Sequence, residues 1–478
     1  ELDTVAAARA QTDAATLSPQ VAGYLSRLDR YLPWFETAVD GALLAPELLG
    51  ADGPRTYLIL AQNNHELRPT GGFISGVGEL TVEDGRLVSL TFSDSYAVDN
   101  LGVPHDLTPA DFQDLLSGQL WFIRDANWDA DFPTSASRAM EIYARDRGTQ
   151  TDGVIALDLA ALQLLVDALG PLQVPGINEP VTGQGVVQVI QEQWGGPVGD
   201  GWKEWWLHRK DFMGQIASAT MARLSGGGSI QPTRVAQALK QAIDEKHLLL
   251  YVADPQAGRL LRERNWDGSL PDPWSSSDVL LVVDTNVGFN KVNPNIERAI
   301  EYQVDLGAEG KPLARLAVSY QNRSKQPVGS CIQEARYGDS YADMMDRCYW
   351  NYLRVYVPAG SRLLAGPELT LPSGSLLARG SDGPVKDSVS PAEREGGWEV
   401  WTAFFDLAPG AERTLIFEYQ LPAWVLDSGS GGLTRYHLRV QKQPGTEAVP
   451  LRVELLLSLI HISEPTRPTR ASRMPSSA

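Results

Sequence analysis

The 478 residues are enough for two or three domains, and an apolar content of 43% is that of an ordinary globular chain with a sizeable core. A formal charge of −18 argues against a nucleic-acid partner and against peripheral binding to anionic lipid headgroups. No basic stripe with interleaved aromatic residues offsets that balance. Residues 1–50 read as helix, because Val21, Tyr24, Leu25, Leu28, Tyr31 and Leu32 fall at i, i+3, i+4, i+7 spacing after an Ala-rich run. Residues 54–270 mix strands and helices. The expected strands are Tyr57–Ala61, Phe73–Val82, Leu87–Phe92, Gly153–Leu157 and Leu248–Val252. The expected helices are Pro133–Arg147, Leu159–Leu169, Trp202–Leu224 and Pro232–Glu245. Pro133 and Pro232 suit first turns, Gly148 suits a helix end, and Ser225-Gly-Gly-Gly-Ser229 is a flexible break. This order predicts an α/β domain with a mixed sheet flanked by helices.

Pro271-Asp-Pro-Trp-Ser-Ser-Ser277 marks a boundary by composition. Residues 278–456 then read as a C-terminal all-β sandwich. Alternating runs lie at Val279–Asp284, Ala299–Leu306, Leu316–Gln321, Leu353–Val357, Val400–Phe405, Thr414–Leu421, Tyr436–Val440 and Leu451–Leu455, with Gly/Pro/Asp turns between. Its strand ends show no cluster of titratable residues, so a structural or adhesive role is expected. Cys331 and Cys348 fit no metal spacing. A disulfide across a short loop, worth ~3 kcal/mol by loop closure, is the favoured reading; two free buried thiols are the alternative. The start at Glu1, and a tail from about Leu457 that resembles a translated sequencing adapter, lead us to expect a gene fragment with a non-native end at 457–478.

The densest polar motif is NNHELRPTGGFISG, Asn63 to Gly76, at the end of the first strand. Polar side chains at a strand end beside a flexible backbone are a usual place to hold an anion, and a hairpin whose Asn and Glu satisfy backbone groups is the competing reading. HExxH, GxSxG, Walker and GxGxxG signatures are missing. His65 is the one histidine inside a dense motif, and such a residue is more often a hydrogen-bonding loop residue than a base. Arg209 and Lys210, adjacent on an expected helix, can flank one anion or form an ordinary charged face. Asp94 and Asp99 follow a strand end, where sheet domains gather polar groups. Asp125, Asp129 and Asp131 form an acidic loop, read either as a hard-cation holder or as solvated turn residues. Trp194, Trp202, Trp205 and Trp206 read foremost as core, with sugar stacking or a membrane interface as alternatives.

RTYLILAQNNHELRPTGGFISGVGELTVEDGRL (Arg55 to Leu87), NWDADFPTSA (Asn127 to Ala136), DGVIALDLAALQLLVDALGPLQVPG (Asp152 to Gly176) and DTNVGFNKVN (Asp284 to Asn293) resemble the bacterial envelope family of domain of unknown function 4012. The resemblance implies an extracytoplasmic protein held by a membrane anchor upstream of Glu1, with residues 1–50 as a membrane-proximal stalk. The order of these stretches is more remotely similar to the LytR-CpsA-Psr family, which transfers polyprenyl-pyrophosphate-linked glycopolymers to the cell wall. Carried over by order, that similarity puts Arg68, Arg209 and Lys210 on the pyrophosphate. Asp94 falls on a catalytic or magnesium-holding aspartate, with Mg2+ as the one implied cofactor, and Asn63, Asn64 and Glu66 become positioning groups. Guanidinium forks bind such phosphates bidentately. Pro69 follows Arg68 where the enzyme family has an acidic residue, so binding of an anionic glycolipid or cell-wall glycan without turnover is also open. The competing expectation is a non-catalytic surface scaffold that contacts other proteins through the sandwich. A hydrolase using two of Glu66, Asp94 and Asp99 has nothing in the spacing to favour it.

Overall fold

The computed structural model describes residues 2–12, 17–194, 210–225, 230–273, 277–307, 311–325, 330–336, 338–372, 374–377, 385–388, 390–391, 396–428 and 434–457. Arg209, Trp202, Trp205, Trp206, the glycines of the 225–229 break and the tail from 458 lie outside the described residues. The helices are α1 (Leu2–Ala10), α2 (Pro19–Leu48), α3 (Ala110–Leu116), α4 (Phe132–Arg147), α5 (Leu159–Leu169), α6 (Gly183–Gln193), α7 (Asp211–Ser225), α8 (Pro232–Asp244), α9 (Pro255–Glu263) and α10 (Tyr341–Met345). The first sheet is built from β1 (Arg55–Asn63), β2 (Phe73–Glu83), β3 (Arg86–Asp94), β4 (Gly153–Leu157) and β5 (Leu248–Val252) in the order β3-β2-β1-β4-β5. Only the β1–β4 pair is parallel, so the sheet is mixed.

The period of two along β1 explains the layers. Leu58 and Leu60 turn towards α4 and pack with Ala136, Ala139 and Ile142. Tyr57 turns the other way, towards Leu44 of α2 and Ala257 and Leu261 of α9. Helix α4 starts where Asp131 accepts from the Thr134 amide at 3.2 Å and ends at Gly148, whose φ of 74° is left-handed.

The sandwich strands are β6 (Asp278–Asn286), β7 (Ile296–Asp305), β8 (Leu313–Asn322), β9 (Tyr349–Val357), β10 (Arg362–Ala365), β11 (Glu368–Leu371), β12 (Val385–Ser388), β13 (Ser390–Pro391), β14 (Glu399–Leu407), β15 (Glu412–Gln420), β16 (Leu426–Ser428), β17 (Thr434–Tyr436), β18 (Leu438–Gln441) and β19 (Leu451–Leu456). They form one sheet in the order β10-β15-β8-β7-β19, a second in the order β13-β14-β9-β6-β18, and two small pairs, β11-β12 and β16-β17. β6 and β9 are buried at every position, which requires cover on both faces. Leu353, Val355 and Val357 point into the sandwich, whereas Trp350 and Tyr352 belong to the core of the α/β domain. Tyr352 stacks on Trp128 at 5.6 Å with planes 7° apart, and the buried Arg354 donates to the Trp128 carbonyl at 2.6 Å. The two domains therefore share one continuous core.

One correction to the sequence reading concerns chemistry inside the sandwich. It does hold titratable clusters. Asp284 accepts from Tyr320 and Asn351 at 2.7 Å each and from Arg298 at 2.5 Å. Asp278 accepts from Tyr302 at 2.6 Å and Tyr436 at 2.5 Å. These partners come from different strands, so no local pattern displays them. In the α/β domain, the acidic loop read either as a cation holder or as solvated turn residues is engaged by the protein itself. Asp131 caps α4, Asp129 pairs with Arg138, and Asp125 is buried next to Arg124. Cys331 and Cys348 are joined, with Cα atoms 5.8 Å apart, in line with the favoured reading. Among the described residues, no helix is long and apolar enough to cross a membrane.

Candidate functional site

The loop between β1 and β2 is held from inside by its own neighbours. The Gln62 side-chain oxygen accepts from the Gly72 amide at 2.7 Å and from Asn127 Nδ2 at 3.2 Å, and Asn127 also donates to the Gly72 carbonyl at 2.8 Å. A Cβ on Gly72 would collide with the backbone of Asn63 and Asn64, so only glycine closes this loop. The sandwich grips the other side. Tyr341 receives the Asn63 amide at 3.0 Å and lies 2.9 Å from His65 Nδ1. The Leu67 amide donates to Asn293 at 3.0 Å, the Asn286 amide donates to the Leu67 carbonyl at 2.9 Å, and Asn64 donates to the Gly445 carbonyl at 3.0 Å. Three of the stretches singled out in the sequence, around Asn63, Asn127 and Asn286–Asn293, thus meet in one place.

Within this loop Glu66 and Arg68 are buried and bonded, Arg68 Nη2 to Glu66 Oε1 at 3.1 Å. Lys291 pairs with the other Glu66 oxygen. Lys210, just ahead of α7, donates to Asp94 Oδ1 at 2.7 Å and to the Ser75 carbonyl at 2.9 Å. Phe73 is the hub. Its ring centre lies 5.7 Å from the Arg68 guanidinium carbon, 5.8 Å from Lys210 Nζ and 5.1 Å from Lys291 Nζ. Tyr96 flanks the same ring at 6.4 Å and takes Lys210 over its own face at 4.9 Å. Among the described residues, three cations and two carboxylates, Glu66 and Asp94, leave a positive excess at this ring in a strongly acidic protein. Burial pushes the nearby Asp125 carboxyl up, an effect that Arg124 and Arg68 oppose.

Of the residues expected here, Arg68, Lys210, Asp94 and Glu66 do gather around Phe73. Asn63 and Asn64 instead face the sandwich, and Asp99 lies apart, accepting from the Ile123 amide at 2.8 Å and Arg124 at 3.2 Å. Burial pushes the Asp99 carboxyl up to about 6, against the Ile123 hydrogen bond and Arg124. His65 is pushed down to about 4, first by burial and then by Lys291, so it is neutral near pH 7. A magnesium site on Asp94 does not fit. Its Oδ1 already holds the Lys210 ammonium and the Tyr96 amide, and no three His, Cys, Asp or Glu side chains converge among the described residues. Sequence reasoning missed Lys291, Phe73 and Tyr96, although Lys291 lies inside the quoted DTNVGFNKVN stretch.

The loop, its strands β1 and β2 and Asn127 fall within the part of the chain that matches a known family, whereas Lys210, Asn286, Lys291, Asn293, Tyr341 and Gly445 lie beyond it. Residues 52–194 match the family described as protein of unknown function (DUF4012). No curated protein matches the chain. Among solved structures, TagU of Bacillus subtilis is similar at 12% identity and a TM-score of 0.26, covering 43% of this chain and 79% of that one. A LytR-Csp2A-Psr enzyme from Actinomyces oris is similar at 12% and 0.26, covering 45% and 76%. TagT bound to LI-WTA is similar at 9% and 0.25, covering 44% and 74%. Identities and scores this low leave function to the chemistry of the DUF4012 segment itself.

Proposed function

We propose that this is an extracytoplasmic, membrane-anchored cell-envelope protein whose α/β domain binds an anionic, pyrophosphate-bearing glycolipid or wall glycan at the Phe73 cluster. The observation that carries this reading is the convergence of Arg68, Lys210 and Lys291, from three distant parts of the chain, on one aromatic ring. Buried guanidinium and ammonium groups with a net positive excess are the chemistry that recognises phosphate oxygens. The disulfide supports an oxidising compartment. Asp94 is engaged with Lys210, so it orients that cation rather than serving as a free base, and binding is better supported than glycopolymer transfer.

Titration of the full chain with farnesyl pyrophosphate, inorganic pyrophosphate and farnesol tests this. The two pyrophosphates should bind saturably, farnesol weakly, and Lys210→Gln should weaken the pyrophosphates at least about tenfold, the effect of losing one charge-assisted hydrogen bond. Absence of pyrophosphate binding, or unchanged affinity in folded Lys210→Gln and Arg68→Gln proteins, would end the reading. A second reading, a non-catalytic scaffold, is favoured by the grip of the sandwich on Asn63, Asn64 and Leu67. On that reading the same substitutions change stability alone.

A further inference from the structure

β19 is the last strand of its sheet, paired with β7 on one side and, among the described residues, with no strand on the other. Such edges are usually blunted, because their unpaired backbone groups invite another chain. The opposite edge of this sheet, β10, has four residues and a break in register between Leu363 and Ala365. On the facing sheet, the edge strand β13 has two residues and ends in Pro391. β19 carries neither device. It runs six residues in unbroken register, with no proline and no lysine.

The pairing with β7 fixes what is left over. The Pro450 and Leu456 carbonyls accept from the Ile300 and Leu306 amides at 2.9 and 3.0 Å. Residues of a parallel strand alternate in the side their backbone addresses, so Arg452, Glu454 and Leu456 spend theirs on β7. The N–H and C=O groups of Leu451, Val453 and Leu455 then point outward. Their side chains continue the inner row of the sandwich, beside the buried Ile300, Tyr302 and Val304. Yet Leu451 and Val453 are 41% exposed and Leu455 47%. An apolar row and an unpaired backbone edge thus lie on one strand.

The order of the side chains identifies what fits there. Leu451-Arg-Val-Glu-Leu455 has the same apolar and charged pattern in both directions, with the charge inverted about Val453. Laid antiparallel on a second copy, about a two-fold axis at Val453, Leu451 meets Leu455 of the second copy and Val453 meets its own equivalent. Arg452 meets Glu454 on the outer face, where Gln303 of β7 already donates to Glu454 at 3.2 Å. Opposite charges and apolar pairs directly across an antiparallel ladder stabilise it. In this register the outward residues occupy the hydrogen-bonded positions, so each free N–H finds a carbonyl. Such a self-complementary patch is the requirement of a closed two-fold interface.

We propose that β19 pairs antiparallel with β19 of a second copy, joining two sandwiches into one continuous sheet. The pairing needs no ligand at the Phe73 cluster, so it is independent of the pyrophosphate reading. Sedimentation velocity of the full chain over a dilution series tests it, and a reversible dimer is expected. Glu454→Arg places like charges across both ends of the ladder and should raise the dissociation constant at least about tenfold. Adding Arg452→Glu to that variant restores opposite charges in the same register and should recover the dimer. Val453→Pro deletes an outward N–H while sparing the ladder to β7, so it should sediment as a monomer that melts like the parent. The proposal is overturned if the parent is a monomer throughout or assembles beyond a dimer, if Glu454→Arg dimerises as tightly as the parent, or if the double exchange does not recover the dimer.

Discussion

Glu66 sits between Arg68 and Lys291, all three side chains nearly removed from water. A single carboxylate compensating two buried cations is more sensitive than either cation alone, because its loss leaves two unpaired charges in a low-dielectric interior. Glu66→Gln is therefore expected to cost about 3–5 kcal/mol, the usual range for breaking a buried ion pair, whereas Lys291→Met costs less because Arg68 keeps its partner. Urea unfolding of the two variants checks the order; a loss under about 1 kcal/mol for Glu66→Gln would show that water reaches the network. The sequence displayed Glu66 and Arg68 because they share one dense motif. It hid Lys291 because that residue is 225 positions from Glu66, and its role exists only once β6 is laid against the loop. Asn63 and Asn64 were legible as polar loop residues, but the sandwich that takes them lies outside any local window.

Among elements, the strands of the first sheet and helices α4, α5 and α8 were legible because alternation, proline at first turns and a glycine stop all agreed. Helices α6 and α9 were not, since at 11 and 9 residues each offers a short window with few apolar positions, and they are ordered by packing on α5, α7 and β5. The sandwich strands were readable as strands, but not the tie that holds three of them together at Asp278. This carboxyl joins β6 to Tyr302 of β7 and Tyr436 of β17, and burial pushes it up to about 6 against those hydrogen bonds. A folded-state value above the unfolded one means the folded chain keeps the proton between about pH 4 and 6. The stability it contributes is complete below the unfolded value and is lost as pH rises through 6. Asp278→Asn removes that titration. Relative to the parent, the variant should gain about 3 kcal/mol of stability on going from pH 4 to pH 7.5, the free-energy equivalent of raising a carboxyl from 3.8 to about 6. Paired urea melts at the two pH values read this difference directly, and a difference independent of pH would rule the tie out as a titrating group.

At the scale of the whole molecule, the α/β domain and the sandwich are bound by a common core and by the loop's many polar contacts, so they should melt together. The tightest point of that junction is Gly445, whose φ is +78° and whose added Cβ would strike the carbonyl of Gly71. Gly374 has a similar φ of +72° with open space around it. The pair separates two costs that usually travel together. Gly374→Ala meets only the left-handed backbone penalty, about 1–2 kcal/mol. Gly445→Ala meets that penalty and also forces the signature loop away from the sandwich, and the total should reach about 3–5 kcal/mol, in the range of severe single substitutions. Scanning calorimetry should then show one transition for the parent and for Gly374→Ala, and a lower, broadened or divided transition for Gly445→Ala as the domains uncouple. Equal shifts in the two variants would mean that the close approach of Gly445 to Gly71 contributes nothing to the union of the domains, and that the shared core alone holds them.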